Sequence, residues 1–207
     1  MMGIVEIVAI VRDVIVCATA ITGAVVAVKG LTTWRRQHKG QADYELARRL
    51  LTTLFRYRDA INGVRNPAMF AHEMPMPPPD EAAQMSPAKI RFHGLSKAYQ
   101  ARWDRVNVES SKLYPDLIES EALWGDELKK LFRVLKEREY ELLLVVQDHL
   151  ERSNPDADPE LRSEKRHDEF KILYGSNKLD GRDEYDASLK TAIEAIEKYL
   201  KPKLGYR

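Results

Sequence analysis

The sequence predicts an all-α protein, with one N-terminal transmembrane helix followed by an antiparallel helical bundle. Three observations carry that expectation. Residues 14–28 form an uncharged apolar run close to the N-terminus. Beyond it, apolar residues recur at intervals of three and four, and no segment alternates apolar and polar as a half-buried strand would. The composition, 44% hydrophobic and 31% charged with only 10 Gly and 10 Pro, suits a helix-rich folded chain better than a disordered one. A length of 207 residues fits one domain plus an attachment. The expected organisation is an anchor over residues 1–34, a membrane-proximal bundle helix over 35–66, a proline-rich linker over 67–87, and the rest of the bundle over 88–207.

The anchor comes first. Its uncharged run falls short of the ~20 residues needed to cross a ~30 Å hydrocarbon core. Extension to Thr33 supplies the length if Lys29 snorkels to the interface, where Trp34 is a natural anchor. A cleaved signal would begin with a basic region, which "MMGIVE" lacks, so a retained span is expected. Lys29, Arg35, Arg36 and Lys39 follow the span, which predicts an N-terminus outside, a cytoplasmic C-terminal region and location in the inner membrane. The same cations and Trp34 are candidate contacts for lipid headgroups.

At 100° per residue, Glu6, Asp13, Cys17, Ala20, Ala24 and Ala27 fall within 40° of one line, while bulky Ile and Val residues occupy the other side. A small, polar stripe of this kind lets another helix approach closely, and two carboxylates are costly facing lipid. The stripe is therefore a candidate homo-oligomeric seam, or the lining of a water-filled path. Arg12 lies off it. The lone cysteine, Cys17, excludes an internal disulfide framework and reads as a small apolar side chain.

The bundle elements follow in order. Asp43 is a candidate N-cap for a helix carrying Ala47, Leu50, Leu51, Leu54, Phe55, Ile61 and Val64, ending at Asn66-Pro67. This helix could equally run back through Trp34 into the span, with Gly40 as its weak point. Residues 66–87 contain six prolines and read as an extended connector. A second helix is expected over 88–113, with Pro115 interrupting it. A third should run continuously over 116–151 on Leu117, Leu123, Trp124, Leu128, Leu131, Leu135, Leu142, Val145, Val146, His149 and Leu150. A fourth, over 183–201, carries Tyr185, Leu189, Ile193, Ile196 and Leu200 and stops at Pro202.

The runs "WRRQHKGQADYELARRLLTTLFRYRDAINGVRNP", "EALWGDEL" and "DEYDASLKTAIEAIEKYLKPKL" resemble a group of uncharacterised bacterial proteins with one N-terminal span and a helical cytoplasmic region. The resemblance implies the architecture and supplies no activity or functional residues.

The chemistry expected is sparse. The net charge of +1 gives no global attraction to nucleic acid, although residues 29–65 carry nine Lys/Arg against Asp43, Glu45 and Asp59. Phosphate-loop, dinucleotide, nucleophile-elbow and HExxH patterns are absent from the sequence. Glu164 and His167 stand at the ExxH spacing used by di-iron bundles, but as a single copy, which reads as a solvated charged face. Arg58, Asp59 and Arg65 in one helix, and Glu119, Glu121 and Trp124 in another, form a candidate interhelix polar network. The expectation is a non-enzymatic scaffold, sensor or partner-binding module with no cofactor or metal. Its expected partners are membrane lipid, a second copy of itself and another protein, and the rival is an oligomeric pore.

Overall fold

The computed structural model describes residues 4–163, 167–174 and 183–205. Its helices are α1 (Ile4–Val64), α2 (Pro79–Ala82), α3 (Pro87–Trp124), α4 (Glu127–Ser153), α5 (Pro159–Ser163), α6 (His167–Tyr174) and α7 (Glu184–Leu200), with 3-10 turns at Ala71–Glu73 and Lys201–Leu204. Strands are absent among the described residues, and the fold is all-α. The chain divides into two compact units, Met1–Glu45 and Leu46–Arg207.

The first unit is helical from Ile4 onward. Helix α1 passes through Gly40 and Asp43 without a break, so Asp43 does not cap it. Good helix formers on both sides (Glu45, Leu46 and Ala47 following, Arg35 and Arg36 preceding) carry one glycine at a cost of about 1 kcal/mol. Every residue over 16–42 is exposed, including Ile21, Val26 and Val28.

The second unit is a four-helix bundle built from the C-terminal part of α1, α3, α4 and α7. Contact pairs set its topology. Lys129 meets Glu121 beside the α3–α4 turn, Lys136 meets Ser110 further out, Tyr99 abuts His149, and Lys89 reaches Asp156 at the far end. Partners that step away from a two-residue turn on both sides define an antiparallel hairpin. Arg49 joins Asp116 and Glu119 while Arg102, earlier in α3, holds the end of α1, so α1 and α3 are antiparallel too. Near the start of α7, Tyr185 donates to the Arg138 carbonyl at 2.7 Å, and near its end Tyr199 faces Trp124 at the hairpin tip. Helices α4 and α7 are thus antiparallel as well.

The core is the apolar stripe that the three-four spacing marks, with Leu46, Leu50, Leu54 and Ile61 meeting Leu128, Leu135, Leu142, Leu189, Ile193 and Ile196, all but fully buried. It also takes in Tyr57, Phe132 and Leu173.

Three boundaries differ from the sequence expectation. Helix α3 begins when the Ser86 hydroxyl accepts the Lys89 N–H, with Pro87 in the first turn, and it then continues through Pro115. Pro115 sits on the exposed face, where the unpartnered carbonyl one turn back can turn to water, so the helix tolerates it. The continuous helix expected over 116–151 is instead two helices that meet at Gly125. Gly125 has φ +82°, ψ −169°, a conformation that essentially only glycine adopts. The connector expected to be extended contains a 3-10 turn and α2, and buries Pro77.

Candidate functional site

Three polar clusters tie the bundle helices together. The first closes the connector. Arg102, 6% exposed, points from α3 toward the segment after α1. Its guanidinium donates to both Glu73 carboxylate oxygens at 2.9 Å and to the carbonyls of Asn66 and Ala68 at 2.6 and 2.7 Å. The planar fork of arginine suits this four-acceptor arrangement, which a lysine could not satisfy. Hydrogen bonding from Arg102, then from the Phe70 N–H, holds the Glu73 carboxyl at about 2 against an ordinary 4.5. About two helical turns earlier in α3, Gly94 lets the connector close: a Cβ there would stand 3.1 Å from the Met74 Cβ. Asp59, Gly63, Phe70, His72 and Arg105 complete a half-open cleft of about 280 Å³ beside the pair.

The second cluster lies at the end of α1. Arg65, 8% exposed, donates to both oxygens of Asp183 at 2.8 and 2.9 Å and to the Ile172 carbonyl at 2.6 Å, with its guanidinium 4.6 Å from the Tyr185 ring. One side chain therefore joins α1, α6 and the cap of α7. Asp183 also accepts the Asp186 N–H as that cap. Burial pushes the Tyr185 phenol up.

The third cluster runs from the core to the surface. Fully buried Tyr57 donates to Glu139, which also takes the Lys136 ammonium, and Lys136 reaches Ser110 at 2.5 Å. Desolvation, reinforced by the Glu139 charge, raises the Tyr57 phenol far above its ordinary value. Acid and donor neutralise one another, so the cluster sets helix register.

The residues of the candidate interhelix network do not converge. Arg58 pairs with its neighbour Asp59 at 2.8 Å, and Arg65 belongs to Asp183. Glu119 pairs with Arg49 at 2.5 Å, and Glu121 with Lys129 at 3.0 Å. Trp124 carries the Lys203 ammonium 4.2 Å from its ring centroid. Arg102 was not among the sequence candidates, because an arginine on an amphipathic helix reads as surface.

In the first unit, Cys17, Ala20, Ala24 and Ala27 are exposed along α1, as are Lys29, Trp34, Arg35, Arg36 and Lys39. Trp34 packs edge-on against His38, centroids 4.3 Å apart. The side chains of Glu6 and Asp13 lie outside those described, as does Glu164 of the ExxH pair. Among the described residues no three His, Cys, Asp or Glu side chains are grouped as metal ligands would be.

Fold and site together define a class: an all-α chain with one N-terminal helix long and apolar enough to cross a membrane, and a bundle whose buried arginines, Arg65 and Arg102, are each paired with a carboxylate of the chain. No family model, curated protein or solved structure matches the chain. The class is therefore defined by physical features alone.

Proposed function

We propose that the chain is a single-pass inner-membrane protein whose α1 anchors a cytoplasmic helical bundle, the bundle serving as a non-enzymatic scaffold, sensor or partner-binding module. The observation that carries this reading is the exposure of every residue over 16–42, among them Val16, Ile21, Val25, Val26, Val28 and Leu31. Burying an aliphatic side chain of this size gives roughly 1.5–3 kcal/mol, so a bare apolar helix in water is far costlier than the same helix in lipid. The bundle needs no help from that segment, since its core begins at Leu46. The orientation, N-terminus outside, rests on Lys29, Arg35, Arg36 and Lys39 all following the apolar run.

The test is fractionation of cells expressing the full chain, with an alkaline carbonate wash and reporters fused to either terminus. Retention in the washed membrane, with a C-terminal reporter active in the cytoplasm, is the expected result. Release into the wash would overturn the anchor, and an external C-terminus would overturn the orientation.

A second reading is self-association in the membrane through the small face, as a seam or a pore. It is favoured by the continuity of α1 from Ile4, which carries positions 6, 13, 17, 20, 24 and 27 on one helix with one line of register. Oxidative crosslinking through Cys17 tests the seam. Asp13→Asn and Glu6→Gln test the pore, since both should change ion leakage through a conducting path and leave a tether unaffected.

A further inference from the structure

We infer that the membrane-side segment of α1 over residues 29–39 is a binding site for anionic phospholipid headgroups, which it takes in preference to zwitterionic ones. The inference rests on the anchor reading above and adds the class of lipid.

The segment "KGLTTWRRQHK" carries Lys29, Arg35, Arg36 and Lys39 with no carboxylate between them. At 100° per residue the four lie within a 120° arc of the helix, and Trp34 and His38 are on the opposite side. All four are exposed, and among the described residues none has an acceptor within ion-pair distance. In the bundle, Arg49, Arg65, Arg102, Lys129 and Lys136 each meet a carboxylate of the chain, and its exposed cations are interspersed with acidic residues, whereas the 29–39 segment holds four cations and no carboxylate. A unit charge density of this order, left uncompensated directly after an apolar run, is satisfied by phosphates at the interface. Zwitterionic headgroups bring an ammonium with each phosphate and no net field. Anionic headgroups bring a surface potential worth about 1 kcal/mol per nearby Lys or Arg. Trp34, 56% exposed and braced edge-on by His38, has the amphipathic ring that sits at headgroup depth and reports on the lipids beside it.

The experiment reconstitutes the full chain in vesicles of phosphatidylcholine and phosphatidylglycerol, with bromine placed on the acyl chains of one lipid or the other. Trp34 quenching is the difference between the chain and its Trp34→Phe variant, which retains Trp103 and Trp124 as background. At equal mole fractions, brominated phosphatidylglycerol should quench Trp34 at least about threefold more than brominated phosphatidylcholine. The preference should collapse in ~0.5 M salt, where the Debye length shrinks to a few ångströms, and in the variant with all four cations replaced by Gln. The salt titration needs no mutation, so it stands if that variant inserts poorly. Equal quenching by the two lipids at low salt would overturn the lipid preference and leave the anchor intact. No Trp34 quenching by either lipid would overturn the anchor itself, and this proposal with it.

Discussion

Replacing Arg102 with methionine keeps the length of the side chain and removes its charge and every donor. Four acceptors then lose the guanidinium: two Glu73 oxygens, one of which keeps the Phe70 N–H, and the carbonyls of Asn66 and Ala68. Breaking a buried ion pair from one side costs about 3–5 kcal/mol. Glu73 retains a fifth of its side-chain exposure and recovers part of its hydration, which lowers the figure. Each carbonyl stranded without a donor adds about 1 kcal/mol. The net expectation is about 3 kcal/mol of destabilisation, or a Tm lowered by roughly 6–12 °C for a chain of this size. The assay is thermal unfolding of the full chain in mild detergent, followed by the fluorescence of Trp103 and Trp124, both of which lie in the bundle. Arg102→Lys keeps the charge but cannot serve four acceptors in one plane, so it should fall about midway. Limited proteolysis between Asn66 and Pro87 should accelerate in both variants. A Tm within about 2 °C of the parent for Arg102→Met would refute the argument that this arginine closes the connector.

The Glu73 carboxyl has a sign that can be worked out. Its folded pKa of about 2 lies below the ordinary 4.5, so the unfolded chain binds more protons between those values. Its contribution is fully present above about pH 4.5 and lost as pH falls toward 2. Glu73→Gln should flatten the acid limb of the stability curve. At the other end of the scale, Tyr57 and Tyr185 stay protonated in the fold at pH values where the unfolded phenols ionise, so stability should decline as pH rises past 10, and Tyr57→Phe should lessen that decline while costing about 1 kcal/mol near neutrality. Arg65→Met should cost about 2–4 kcal/mol and raise hydrogen exchange in α6 and the first turn of α7, because it releases both Ile172 and Asp183. Gly125→Ala should cost about 1–3 kcal/mol by denaturant unfolding, since its backbone must hold φ +82°.

What the sequence made legible was the local part of the fold. The stripe of Leu46 to Val64 and that of Tyr185 to Leu200 are buried as the helical period requires, because burial at three-four spacing is decided within one element. Two helix boundaries depart from the local signal for opposite reasons. At Pro115 a strong local breaker was overridden, since its face is solvated and the helix on either side is held by the core. At Gly125 the apolar beat ran straight across a turn, because Leu123 and Trp124 before it and Leu128 after it keep the same spacing on two different helices. The signal that could have found the turn is the pair Gly125-Asp126, a helix stop followed by a favoured start.

The polar clusters were less accessible. Arg65 and Asp183 are 118 residues apart, and Arg102 reaches back 29 residues to Glu73. Which arginine meets which carboxylate depends on how the helices are arrayed, and the sequence offers many cations and carboxylates on exposed helical faces. The candidate pairing of Arg58 and Arg65 with Glu119 and Glu121 was one of many equivalent matches. The long apolar N-terminal helix, by contrast, is legible from composition alone.

The most direct test of the account uses the lone cysteine as a depth probe. In sealed membrane vesicles of either orientation, Cys17 should resist a membrane-impermeant maleimide and react fully once detergent and denaturant are added. Prompt labelling in intact vesicles of either orientation, without the ion leakage of a conducting path, would put this part of α1 in bulk water and would contradict the claim that the helix is embedded in the bilayer.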